Sequence, residues 1–329
     1  MAIEIRRRDF IVMLGSAIAW PLAARAQKSA IPVVGYLSFG SPESDTSRLT
    51  GLRRGLNQTG YVEGRNFFIE YRWAGNRANR LPASAADLVQ LQVAVIVAAG
   101  LLPALAAKTA TTSIPIVFSV GTDPVQLGLV ASLNRPGGNL TGFHAFTGEL
   151  GAKGLALLHE LMPSAATVGF LENPDNPISE LTTRDVLATA PVIGLKVQIL
   201  NAGTDREIDA AFASLLQAQA EALLVSNDIF FNSRIEQIVA LAARHAIPTM
   251  YAYREFVVAG GLISYRPSLI EHYRQLGLYT GRILNGEKPV DLPVQQITKI
   301  GLTINLKTAK ALGLEVPAKL LALADEVIE

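Results

Sequence analysis

Four histidines, at positions 144, 159, 245 and 272, are all the imidazole this 329-residue chain offers, and it has no cysteine. Without a thiol there is no disulfide, thiolate nucleophile, Cys-bound zinc, iron–sulfur cluster or lipid-modified cysteine. No histidine stands in an HxH, HxxxH or HExxH spacing, so a histidine-built metal site is not expected. The chain also lacks G-x-G-x-x-G, G-x-x-x-x-G-K-[ST] and G-x-S-x-G, the patterns that cradle phosphates or expose a nucleophilic serine. Asp123, Glu221, Asp228 and Glu236 are scattered carboxylates, and acid–base work would need two of them to converge. Asp123 precedes Pro124 and Asp228 precedes a helical pattern, positions that suit capping as well as they suit an ammonium partner. No catalytic constellation and no cofactor are expected.

What the sequence does supply is a set of binding groups at the ends of strands. Short apolar runs at Val33–Ser38, Val93–Ala98, Ile116–Val120, Thr167–Leu171, Ala222–Ser226 and Thr249–Tyr253 alternate with helical patterns. Those helices are predicted at Asp45–Gly60, Arg80–Gln92, Pro103–Thr112, Gly151–Met162, Ile178–Ala190, Asp205–Gln219 and Ser233–His245. Further strands are predicted at Phe67–Trp73, near Leu140–Phe143 and at Lys196–Leu200. Alternation of this kind, with several strands apolar throughout, predicts an α/β fold with parallel sheets covered on both faces. Ile-Pro pairs at 31–32, 114–115 and 247–248 precede three of the strands, which hints at two similar lobes. The tail is less regular: a strand at Leu262–Tyr265, a helix at Ile270–Asn285, a strand at Gln296–Leu306 and a short helix at Thr308–Leu312.

In parallel α/β sheets, ligands sit beyond the carboxyl ends of the strands. Those ends give Ser38, Phe39, Ala99, Gly100, Ser119, Thr122, Asp123 and His144 in the first half. The second half gives Asn173, Asn176, Asn227, Asp228, Tyr251, Tyr253 and Arg254. His144 also suits a packed or hinge residue. The set fits a small polar molecule with an apolar body, because main-chain N–H groups at helix starts hold carboxylates and aromatic faces cover rings.

Residues 1–26 read as an export signal. Arg6, Arg7 and Arg8 precede a short apolar run from Val12 to Ala19, and Ala24-Arg25-Ala26 offers a cleavage site before Gln27. Arg7-Arg8-Asp9-Phe10-Ile11 matches the twin-arginine pattern. A periplasmic location follows as the expectation. The whole chain carries 29 basic against 28 acidic residues, which leaves no basic surplus for a nucleic acid. Half of it is hydrophobic, enough for two ordinary cores.

Several segments together carry a family likeness. They are Gly51-Leu52-Arg53-Arg54-Gly55-Leu56 with Gly60-Tyr61-Val62-Glu63-Gly64, then Gly121-Thr122-Asp123-Pro124-Val125, and the run from Leu133 through Pro136-Gly137-Gly138-Asn139 to Gly142. Arg254-Glu255-Phe256 with Ala259-Gly260-Gly261, and Ile304-Asn305-Leu306-Lys307-Thr308-Ala309, complete them. Across the mature chain the sequence resembles the ABC-transporter substrate-binding proteins of the family that includes the tryptophan-binding lipoprotein of Gram-positive bacteria. The resemblance implies a type I periplasmic-binding-protein fold: two Rossmann-like lobes joined by three crossovers near Phe143–Thr147, Leu262–Arg266 and Pro289–Ile300. The first lobe would comprise residues 27–144 and 266–295, and the second 145–265 and 296–329. It implies a monomeric solute receptor that closes on a small ligand and docks on an ABC permease in the inner membrane, with no bond chemistry. An amino acid, aromatic first, is the implied ligand, followed by a small aromatic or other carboxylate. A sensory binding protein of the same fold, or an exported α/β enzyme, are the alternatives. Two departures stand out: Arg266 occupies a position where family members mostly have glycine, and the cysteine of the lipoprotein members is missing.

Overall fold

The computed structural model describes residues 31–145, 147–176 and 178–329, so the expected export signal lies outside the described residues. The first half alternates β1 (Val33–Ser38), α1 (Thr46–Gln58), β2 (Phe68–Trp73), α2 (Leu81–Gln90), β3 (Val95–Ala99), α3 (Leu101–Ala110), β4 (Ile116–Val120) and β5 (Leu140–His144). The second half continues with α4 (Thr147–Leu161), β6 (Thr167–Glu172), α5 (Ser179–Thr189), β7 (Lys196–Asn201), α6 (Asp205–Gln217), β8 (Ala222–Val225), α7 (Ile229–Asn232), α8 (Ile235–Arg244) and β9 (Thr249–Tyr251). After α9 (Arg254–Val258) and β10 (Ile263–Arg266) come α10 (Leu269–Leu284), β11 (Gln295–Gln296), β12 (Gly301–Asn305), α11 (Leu306–Ala311), α12 (Ala318–Leu323) and β13 (Glu326–Ile328).

These strands form two sheets. One has the order β11-β5-β4-β3-β1-β2, all parallel. The other has the order β13-β12-β10-β9-β8-β6-β7, parallel except where β12 meets β10. Every residue of β3 and β4 is buried, as strands covered by helices on both faces must be. The Ile-Pro junctions serve one purpose in both sheets. Pro32, Pro115 and Pro248 cannot donate, but their carbonyls accept from Phe68, Ile96 and Leu223 of the neighbouring strands at 2.8–3.1 Å.

The chain passes between the sheets three times: from β5 to α4, from β10 to α10, and from β11 to β12. The last passage corrects the expected strand at Gln296–Leu306. The apolar alternation is continuous, but its two ends pair with different sheets, and the stretch 297–300 lies between them. The short elements α7, α9, α12 and β13 carry too few residues to show a period, so the sequence pattern does not predict them.

Helix α10 lies on the first sheet, where Leu269, Tyr273, Leu276, Tyr279 and Ile283 share a core with Val34, Tyr36, Val95 and Val97. It packs on α1 through glycines. A Cβ on Gly277 would overlap the Leu52 carbonyl oxygen and lie 2.9 Å from both Gly55 Cα and Leu56 N. Only glycine allows this approach of two backbones.

Candidate functional site

A cavity of about 160 Å³ lies where the carboxyl ends of the two sheets face one another. That is about the size of an apolar cavity that holds one benzene molecule. The first sheet contributes Phe39 after β1, Gly100 to Pro103 at the start of α3, and Ser119, Val120 and Gly121 at the end of β4. The second contributes Asn176 and Ile178 after β6, Asn227, Asp228 and Ile229 after β8, and Tyr253 after β9. Ala145, Arg266 and Pro267 come from two of the passages, and Arg48, Leu269, His272 and Tyr273 from α1 and α10. The two sides are in contact: a Cβ on Gly40 would stand 2.8 Å from Ile229 Cδ1. Tyr253 packs against a hydrophobic cluster from each sheet.

The buried guanidinium of Arg48 is held by Asp45. Its Nη1 donates to Asp45 Oδ1 at 2.8 Å and to the Ser44 carbonyl at 2.9 Å. The hydroxyl of Tyr36 donates to Asp45 Oδ2 at 2.9 Å, and the Tyr273 ring centroid is 5.8 Å from the guanidinium carbon. Burial works against the Arg48 cation, but Asp45 and the surrounding tyrosines hold its pKa above the ordinary value. Burial pushes the Tyr273 hydroxyl up to about 12, so it remains a donor at neutral pH. Burial, and then the nearby Arg48 charge, bring His272 down to about 4, so its imidazole is neutral. It shares a 3.2 Å hydrogen bond with Ser119 Oγ.

On the facing side, Asp228 caps α7. Its Oδ1 accepts from Phe230 N at 2.7 Å, Phe231 N at 3.3 Å and Asn173 Nδ2 at 3.1 Å, and its Oδ2 accepts from Asn176 Nδ2 at 2.8 Å. Burial raises its pKa, and the four donors oppose the shift. Behind it, burial raises the Glu172 carboxyl to about 7, and the charge of Asp228 adds to that direction.

Of the residues expected at the site, the structure brings Phe39, Ala99, Gly100, Ser119, Asn176, Asn227, Asp228 and Tyr253 to the cavity wall. Ser38, Thr122, Asp123, His144, Asn173, Tyr251 and Arg254 are not on it. Ser38 is buried and accepts from Gly40 N, and His144 is buried at the end of β5. Thr122 lies in the loop after β4, where Asp123 accepts from the backbone of Val125 and Gln126. Tyr251 stacks on Phe256 in the core. Asn173 orients Asp228, and Arg254 forms a two-point ion pair with Glu326. Sequence reasoning missed Arg48, His272 and Tyr273, which arrive on helices, not on strand ends. Among the described residues no cluster of three or more His, Asp or Glu is placed to hold a metal.

Comparison with known proteins adds three relatives. The profile of the family described as ABC transporter substrate binding protein matches residues 34–328. A tyrosine-binding protein of Clostridioides difficile (strain R20291) is 28% identical over 269 residues, spanning 80% of this chain and 76% of that one. A conserved domain protein of Vibrio cholerae superposes with a TM-score of 0.80 at 27% identity, covering 90% of this chain and 99% of the other. An ABC domain from Streptococcus pneumonia, crystallised in complex with L-Trp, shares the fold at a TM-score of 0.79 and 24% identity, with the same coverage. The architecture is that of type I periplasmic binding proteins.

Proposed function

The chain belongs to the ABC transporter substrate-binding protein family, and from that premise we propose that it is the exported solute receptor of an ABC importer. It captures a small carboxylate with a ring or apolar body between its lobes, and the closed form presents that ligand to a permease in the inner membrane. The tyrosine and tryptophan named for two of its relatives belong to this ligand class. The receptor acts as a monomer in the periplasm and carries out no bond chemistry.

One observation supports this reading most strongly: the cavity sits between the carboxyl ends of both sheets, and each lobe supplies part of its wall. A ligand there touches both lobes at once. It therefore favours the conformation in which they are closed, by its differential affinity for that state. Guanidinium, hydroxyl and main-chain N–H groups supply the polar end. Phe39, Leu101, Tyr253 and Tyr273 supply the apolar walls. The ring of the ligand is stabilised by about 25 cal/mol per Å² of apolar surface it loses to water.

The test is thermal unfolding of the protein recovered from the periplasm, against a panel of aromatic and aliphatic carboxylates with their uncharged amides as controls. A ligand at 100 times its Kd should add about 2.7 kcal/mol of stability. Stabilisation by at least one carboxylate and not by its amide is the expected result. A flat response across the whole panel rejects the proposed ligand class.

A further inference from the structure

We propose that Glu172 and Ser226 form a proton-binding site behind the cavity wall: a proton on Glu172 bridges its carboxyl to the Ser226 hydroxyl, and loss of that proton sets two buried carboxylates against each other and loosens the cap of α7. The strand register brings the two residues together. Leu171 on β6 is paired with Val225 on β8, and Ser226 N donates to the Leu171 carbonyl at 3.0 Å. The next residues along these parallel strands, Glu172 and Ser226, therefore stand side by side on one face of the sheet. They are 2% and 6% exposed. Glu172 Oε2 and Ser226 Oγ are both shielded from solvent, and neither has a hydrogen-bond partner among the described residues. One proton supplies what both lack, because a protonated carboxyl donates and a hydroxyl oxygen accepts.

The groups around Glu172 favour keeping that proton. Beyond β8 stands Asp228, itself buried, whose negative charge opposes a second one beside it. From α5 comes the Ser179 hydroxyl, and from β7 comes Asn201, in register with Glu172. Asp175 and Glu207, which meet around Gly203 beyond β7, and Glu180 on α5 are exposed acids. Among the described cations of the surrounding elements, Arg234, past the end of α7, is paired with Asp205, and Lys153 of α4 and Arg184 of α5 are exposed. Burial first, and then the Asp228 charge, raise the Glu172 carboxyl to about 7, against the two hydroxyls that favour its charged form.

Asp228 connects this site to the cavity. Asn173, next to Glu172 in the chain, donates to Asp228 Oδ1, and Asn176, Asn227, Asp228 and Ile229 line the cavity. With Glu172 protonated, Asp228 alone carries charge, and the Phe230 and Phe231 amides hold it. With both ionised, two like charges share a buried patch, and movement of the cap relieves them. The folded chain keeps the proton up to about pH 7, whereas an unfolded glutamate loses it near the usual 4.5. The stability this proton supports is thus full below the lower value and is lost as the pH rises through the upper one. A receptor built this way holds its cavity wall more firmly in acid than in alkali.

Urea denaturation and amide hydrogen exchange of the periplasmic protein, without ligand, test the site between about pH 5.5 and about pH 8.5. Wild-type stability should fall across that range. Glu172→Gln, which has no proton to lose, should flatten the profile, so that the ratio of the two unfolding constants changes by about 30-fold from one end to the other. Exchange at Phe230 and Phe231, corrected for its intrinsic pH dependence, should quicken about tenfold or more in wild type and stay level in the variant. Parallel stability profiles for the two proteins overturn the inference, and so does wild-type exchange at the cap that does not respond to pH. Should Glu172→Gln fail to fold, the infrared carbonyl band of a buried protonated carboxyl decides. It should vanish from wild type as the pH passes about 7, and Ser226→Ala, which removes the acceptor, should move it to higher frequency. No such band at the acid end, or one that Ser226→Ala leaves in place, overturns the proposal. None of these readouts uses a ligand, so the receptor reading stands or falls separately.

Discussion

Asp45→Ala is expected to lower the stability of the folded chain by about 3–5 kcal/mol, the loss that follows when one partner of a buried ion pair is removed. Asp45 is fully buried, and so, very nearly, is Arg48. The carboxylate does two things at once: it neutralises the guanidinium at 2.8 Å and accepts from Tyr36 at 2.9 Å. Its removal leaves a cation in a wall of tyrosines and apolar groups, and strands the Tyr36 hydroxyl in the core. Urea denaturation gives the loss directly. The double variant Asp45→Ala with Arg48→Met should recover most of it, because the charge that lacks a partner is then gone. A loss below about 1 kcal/mol in the single variant would place the pair among surface-like contacts and contradict the electrostatics described for this wall.

Gly277→Ala should be almost as damaging, against the trend of helix propensity. In an open helix the change would gain about 1 kcal/mol. Here the new methyl overlaps the Leu52 carbonyl and presses on Gly55 and Leu56, backbone atoms that cannot turn aside. Overpacking of that kind costs about 1–3 kcal/mol, and more where only backbone is available to move. The helices α1 and α10 must part, and with them Arg48 and Tyr273, which meet across the same interface one turn away. Loss of ligand affinity should therefore accompany loss of stability. Gly151→Ala in α4 is the control, since its Cβ would meet only Thr182 and Val186 side chains at an ordinary 3.6 Å. That variant should be neutral or stabilising. Equal stability of the two variants would show that the α1–α10 contact yields easily.

The architecture was legible in the sequence because its signals are local. Runs such as VIVAA and IVFSV can bury both faces only in a covered parallel sheet, and the Ile-Pro junctions mark strand starts in both halves. The passages between sheets were not legible from periodicity; the family resemblance implied them. Part of the cavity wall could also be read, because Ser119, Asn227 and Asp228 lie at strand ends, as the general rule requires. That rule says where a strand stops but not which way the next residue turns. Tyr253 reaches the cavity while Tyr251, two residues earlier, stacks on Phe256 in the core. Asp123, after β4, folds back on Val125, whereas Asp228, after β8, reaches the wall and caps a helix. The groups brought by helices were hidden for a different reason. Arg48 and Tyr273 become neighbours only through the glycine contact of two helices more than 200 residues apart in the chain, and no single-segment pattern encodes it.

The account depends on a ligand drawing the two lobes together, and a distance between the lobes measures that most directly. The absence of cysteine permits two spin labels at chosen sites. Glu43, after β1, and Asp175, after β6, are exposed and lie beyond the strand ends that border the cavity from each lobe. With Glu43→Cys and Asp175→Cys labelled, pulsed electron paramagnetic resonance should give a longer or broader distance distribution without ligand. A saturating carboxylate taken from the stabilisation panel should turn it into a shorter, narrower one. An identical distribution with and without a ligand that demonstrably binds would contradict capture by closure.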